Sequence, residues 1–272
     1  MAVSVIFDTD AGTDIDDLYA LALILRHPNL HLLGVTTVSG DTQARCRLIA
    51  KMLRLAGRED IPVCAGCSLP RAGAAKGGSQ PAESALTHGD IVKPGDPEYR
   101  RSYPEARGWL RETLRHAPER VVFLGTGPWT NIAALLDDAE NQEKARINSL
   151  ALMGGEVHLM QAEANIKCDP EAAERVLKSG LPIFTATWSV SRALRFTIAE
   201  IDKAVPGTAV PFLTALREAT RLWWERAAHY KPGPVCYDVV PVFWAAEERD
   251  GIACKKLTSL PVETRGVYTR GM

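Results

Sequence analysis

Apolar positions follow two alternating rhythms along the chain. The runs "VSVIFDT" (3–9), "LHLLGVTTVSG" (30–40), "IPVCAG" (61–66), "RVVFLGTGP" (120–128), "INSLALMGG" (147–155) and "LPIFTATW" (181–188) are short and almost continuously apolar. Such runs read as strands buried on both faces. Between them, "DDLYALALILRHP", "TQARCRLIAKMLRLAGR", "YPEARGWLRETLRHAP", "TNIAALLDD" and "DPEAAERVLKSG" carry apolar residues at helical spacing. Leu18, Leu21 and Leu25 share one helical face, and Gly57 stands where the second helix should close. Repeated strand–helix alternation predicts an α/β fold: an open, mostly parallel, Rossmann-like sheet with helices on both faces, in a single domain over 1–272. In such sheets ligands bind at the carboxyl ends of the strands.

Those ends are polar here. They read Asp8–Asp17, "SGD" at 39–41, "GTGP" at 125–128 and "GGE" at 154–156, so one site assembled from them is the economical reading. Two stretches break the rhythm. Residues 68–98 are rich in Gly, Ala and Pro without a period, as in a lid or a disordered loop. Residues 221–238, "RLWWERAAHYKPGPVCYD", concentrate aromatics, and Trp223, Trp224 and Tyr230 suit a core or interface helix as well as stacking on a ligand.

Charge narrows the function classes. A net charge of −1 leaves no basic footprint for nucleic acid or a membrane surface. No apolar run approaches the ~18 residues of a membrane span, and no basic leader precedes the first strand, so a cytoplasmic protein is expected. Six scattered cysteines fit a reducing compartment. Only Cys64 and Cys67 have redox-motif spacing, and they lie on a strand entering a loop, not at a helix start.

The sharpest feature is "DTDAGTDIDD", with Asp8, Asp10, Asp14, Asp16 and Asp17 and no Lys or Arg among them. Capping of the following helix accounts for one or two of these acids. It does not account for Asp8 and Asp10 at the strand end. Carboxylates this close raise one another's pKa unless a cation sits among them. Oxygen donors without nearby Cys or His suit Ca²⁺ or Mg²⁺. A strand-end D-x-D also occurs in haloacid-dehalogenase-like phosphatases, which would make Asp8 the nucleophile of a Mg²⁺ phosphohydrolase. There, however, Thr13 falls one position late.

A better match is available. "DTDAGTDIDD" closely resembles the N-terminal D-T-D-x-G-x-D-D signature of the inosine–uridine preferring nucleoside hydrolases, with the closing pair displaced two residues to Asp16 and Asp17. In order along the chain, "VTTVSGD", "FLGTGPWTNIAALL", "LALMGGEVHLMQAEANIKCDPEAAERVLKSGLPI", "CYDVVPVFWAAE" and "VETRGVYTRGM" resemble further motifs of that family. The resemblance implies a nucleoside hydrolase fold and hydrolysis of the N-glycosidic bond of ribonucleosides, to ribose and free base, by a Ca²⁺-bound water. It implies Asp10, Asp17, Asp238 and the carbonyl of Thr126 as metal ligands, with Asp10 also taking the proton of the water. Asp16, Glu163 and Asn165 would bind ribose. Asp14 would be an alternative to Asp16 or a supporting acid. A ribonucleoside would be the small-molecule partner, and a homodimer or homotetramer the assembly.

Departures bear on the chemistry. Asp41 stands where the family usually has a sugar-binding Asn. The loop between Gly155 and Glu163 is short, and His158 or Gln161 would have to stand in for its Asn. Tyr237 stands where many members have a His that protonates the departing base, and its ordinary pKa near ~10 makes it a poorer acid. His88, in "THGD", and His229 are the other candidates for that proton. Met272 follows the "TRG" motif at once, where relatives usually continue, so a shortened C-terminus is expected. These departures keep open a nucleoside- or ribose-binding protein with weak or lost catalysis.

Overall fold

The computed structural model describes residues 2–71, 86–138, 140–205, 210–227, 232–247, 254–257, 259–266 and 269–272. Six strands form one parallel sheet: β1 (Val3–Thr9), β2 (Leu30–Thr37), β3 (Val63–Ala65), β4 (Val121–Gly125), β5 (Ile147–Met153) and β6 (Ile183–Ala186). Their order is β3-β2-β1-β4-β5-β6. The chain thus builds outward from β1 to one side, returns, and builds outward from β4 to the other. This reversal leaves a crevice at the carboxyl ends of β1 and β4, the place where open α/β sheets bind ligands.

Helices α1 (Asp16–Arg26), α2 (Thr42–Leu55), α3 (Ala106–His116), α4 (Thr130–Asp138) and α7 (Pro170–Leu177) follow the predicted stretches. Also present are α5 (Asn141–Ala145), α6 (Ala164–Cys168), α8 (Trp188–Ser191), α9 (Ile198–Ala204), α10 (Pro211–Arg226) and α11 (Val239–Ala245). Alternate side chains of the strands feed two cores. Val5, Phe7, Val122 and Leu124 pack with apolar residues of α1, α2, α10 and α11. Ile6, Val121 and Phe123 pack with α3, α4 and α7 on the opposite face. That is why the strands read as continuous apolar runs, with no alternation.

No helix among the described residues is long and apolar enough to cross a membrane. Residues 72–85 of the long loop, together with His229 and Tyr230, lie outside the described residues. The part of that loop that follows is tied down: Lys51 Nζ donates to Asp96 Oδ2 at 2.6 Å, Arg54 Nε to Glu98 Oε1 at 2.7 Å, and Arg226 to Asp90 and to the Thr87 carbonyl.

Candidate active site

At the carboxyl end of β1 the chain turns through residues 10–15 before entering α1, so α1 begins with the pair Asp16 and Asp17. Two close approaches hold this turn. Gly12 has φ 117°, a backbone conformation that glycine adopts without cost. Gly127, in "GTGP", lies so near that a Cβ there would come within 2.6 Å of Val38 Cγ1 and 3.1 Å of Asp10 N. The loop after β4 is thereby pressed against the start of the acidic turn. Thr126 N donates to Asp8 O at 2.9 Å, and Thr126 Oγ1 to Asp17 Oδ1 at 2.8 Å. Thr9 Oγ1 donates to the same Asp17 oxygen at 2.5 Å.

A sixth aspartate arrives from the far end of the sequence. Asp238 opens α11, and carboxylate oxygens of Asp16, Asp17 and Asp238 lie within 4.8 Å of one another, all three side chains buried. Asp16 Oδ2 also accepts from Tyr237 N at 2.9 Å and Asp238 N at 3.4 Å, which fixes α11 onto the cluster. Asp10, Thr13 and Asp14 are only half-buried, so the cluster is open on their side.

Burial and mutual repulsion raise these acids together. Asp10 is pushed up to about 8, first by burial and then by Asp17. Burial followed by Asp14 and Asp17 raises Asp16 well above the carboxylate range, and burial followed by Asp16 and Asp17 does the same to Asp238. Asp17 rises by burial, opposed by its bonds from Thr9 and Thr126. Asp14 rises to about 6 by burial, held back by the amide of Ile15 and an indole hydrogen bond from Trp223. A hard divalent cation would relieve this crowding, and buried carboxylate oxygens without Cys or His are the donor set that calcium or magnesium takes.

Asp8 is a different kind of acid. It is 1% exposed, and its Oδ1 accepts from Thr36 Oγ1 at 2.5 Å and Asn131 Nδ2 at 2.7 Å. Burial pushes it up to about 7. Through Oδ1 it ties β1 to β2 and α4, and its Oδ2, though without a partner, is buried away from any substrate.

The family model described as inosine-uridine preferring nucleoside hydrolase matches residues 5–272 of the sequence. The chain belongs to the inosine–uridine preferring nucleoside hydrolase family. It is 31% identical to the pyrimidine-specific ribonucleoside hydrolase RihA of Citrobacter koseri, over all of this chain and 88% of that protein. In fold it is similar to an inosine–guanosine nucleoside hydrolase (TM-score 0.82, 23% identity, 98% of this chain and 86% of that one). It is also similar to a purine-preferring ribonucleoside hydrolase from Gardnerella vaginalis (TM-score 0.78, 25% identity, 98% and 86%). Family members cleave N-glycosyl bonds. By their names these relatives divide between pyrimidine and purine nucleosides.

The other residues that the family resemblance singles out fall into place unevenly. Asn165 Nδ2 donates to the Thr126 carbonyl at 2.7 Å, which joins α6 to the cluster. Glu163 is buried as the N-cap of α6, accepting from Gly155 N at 3.0 Å, Asn165 N at 2.9 Å and Ile166 N at 3.2 Å. Asp41 behaves otherwise: it caps α2 through Ala44 N at 2.8 Å, faces Arg47 at 3.8 Å, and its side chain is 51% exposed. His88 is fully buried, its Nδ1 3.0 Å from Thr87 Oγ1. Burial, then Arg45 and Arg226, lower it to about 3, so it is neutral near pH 7. Tyr237 is half-buried and raised by burial, then by Asp14 and Asp16. Trp223 is 1% exposed and belongs to the core, with its indole hydrogen-bonded to Asp14 at the edge of the site.

Arg45 was not singled out by sequence motifs. It is 2% exposed, and its guanidinium reaches the acidic turn. A signal was present: Arg45 shares the buried stripe of α2 with Leu48, Ile49 and Met52, where a charged residue needs a partner.

Proposed function

We propose that this chain hydrolyses the N-glycosidic bond of ribonucleosides at the aspartate cluster, with calcium as its resident ion. The observation that carries this is the convergence of Asp16, Asp17 and Asp238 within 4.8 Å at the reversal point of the sheet, with Asp10 near enough for Asp17 to raise its carboxyl. Asp10, Asp17, Asp238 and the Thr126 carbonyl are the residues that would hold the ion. When bound, it supplies charge that lowers the pKa of water and a template for ribose hydroxyls.

The chain's own residues do the rest. Asp10, on the open side, accepts the proton from the attacking water as the water oxygen bonds to the anomeric carbon and the bond to the base breaks. Carboxylates beside the sugar favour the oxocarbenium-like transition state. Asp16 holds ribose hydroxyls from within the cluster, Asn165 from beside the Thr126 carbonyl, and Glu163 through the loop it caps. Asp14 supports Asp10 from the rim. The departing base takes its proton from the Tyr237 hydroxyl. His88 holds no imidazolium proton near pH 7, so it is not the acid, and its remaining N–H can only donate a hydrogen bond.

Asp10→Asn and Asp17→Ala are expected to lower base release from inosine and uridine by ~10²–10⁴. Unchanged rates would contradict the assignment. The weak acidity of Tyr237 favours a second reading, ribose binding with little turnover. Stabilisation by ribose with no reducing sugar from any nucleoside would support it.

A further inference from the structure

The acidic turn is two residues longer than the family signature, and one buried cation holds it. Arg45 Nε donates to Ser39 O at 2.7 Å, Nη1 to Ala11 O at 3.0 Å and to Asp10 O, and Nη2 to Thr13 Oγ1 at 3.0 Å. Four of the five guanidinium hydrogens are thus directed at two loops, the one after β1 and the one after β2. Both loops have irregular backbone. Ser39, though not a glycine, has φ 69°, Gly40 has φ 66° and Gly12 has φ 117°. Carbonyls in such turns find no partner in a strand or helix ladder, and Arg45 supplies one.

We infer that Arg45 is a positioning residue that prebuilds the metal-binding form of the Asp10–Asp17 turn before any ion arrives. This rests on the metal reading of the aspartate cluster given above. Because the guanidinium grips carbonyls of the turn, the carboxylates keep their places although they repel one another. A lysine, with a point charge and no planar fork, cannot span the same four acceptors.

The sign of one measurement separates this from simple electrostatics. A positive charge near a cation site repels the cation, so deleting it would tighten calcium binding if repulsion governed the site. Prebuilding predicts the opposite. Calcium titration by calorimetry, with no nucleoside present, is expected to give Arg45→Met at least tenfold weaker affinity, with Arg45→Lys in between. Hydrogen exchange of metal-free Arg45→Met is expected to accelerate at 10–17 and 39–41 and to stay unchanged in β4 and β5, which also establishes that the variant is folded. At saturating calcium, kcat should recover to within a few-fold, whereas loss of a catalytic group would not be rescued. Equal or tighter calcium binding by folded Arg45→Met would overturn the inference alone. Absence of calcium binding by the unaltered chain would overturn the metal reading and the inference with it.

Discussion

Asp8 and Asp10 are two residues apart on one strand end and serve different purposes because of what surrounds them. Asp8 faces Thr36 and Asn131 in the interior, whereas Asp10 keeps an open side among other carboxylates. Both are raised, to about 7 and about 8. Below those values the folded chain holds protons that an unfolded chain, with ordinary carboxylates, has released. Stability of the metal-free protein therefore falls as pH rises through the folded values, by about 1.4 kcal/mol per pH unit for each proton held. His88 works the other way only below its ordinary 6.5, because its folded value is about 3. Between pH 6.5 and 8 the aspartates act unopposed. Melting temperature in chelator should fall across that interval, and added calcium should restore more at pH 8 than at pH 6.5. A flat chelated profile would count against the raised carboxylates.

Among the elements, α4 shows how a motif can be read correctly and its reason missed. "TNIAALLDD" gave the helix limits, yet the work of Asn131 appears only in three dimensions. Its Nδ2 donates to Asp8 Oδ1 at 2.7 Å and Thr37 O at 3.0 Å, and its Oδ1 accepts from Cys67 N at 2.7 Å. Asn131→Ala should cost on the order of 3 kcal/mol in denaturant unfolding, since it strands buried partners on three segments. Asn131→Asp would set a carboxylate against Asp8, and its penalty should grow above pH 7 more steeply than that of the Ala variant, which loses only the hydrogen bond that holds the Asp8 carboxyl down. The short helices α5, α6 and α8 escaped the sequence because four or five residues cannot display a helical period. Asp41 illustrates a related limit. The motif "VSGD" suggested a sugar contact, but the same residue type is a good N-cap, and the start of α2 uses it so.

At the scale of the molecule, the alternating pattern made the sheet legible because parallel strands covered on both faces must be apolar throughout. The order of the strands was not written in that pattern, and it is the order that brings β1 and β4 together and so gathers Asp10, Asp17 and Thr126. Asp238 joins them from more than two hundred residues away, a placement only the family motif "CYD" suggested. For Arg45 the buried stripe of α2 signalled that a partner was needed, but which partners stayed hidden for the same reason: they lie on two loops that no local spacing links.

The central claim, ribonucleoside cleavage that depends on a divalent ion in this cluster, is tested most directly by release of reducing sugar. A panel of purine and pyrimidine ribonucleosides should be incubated with the protein in calcium and in chelator. Equimolar ribose and free base are predicted from at least one nucleoside in calcium, with loss of both in chelator and recovery on adding calcium back. Release that is indifferent to chelator, or no release from any nucleoside by calcium-supplied protein, would contradict the account.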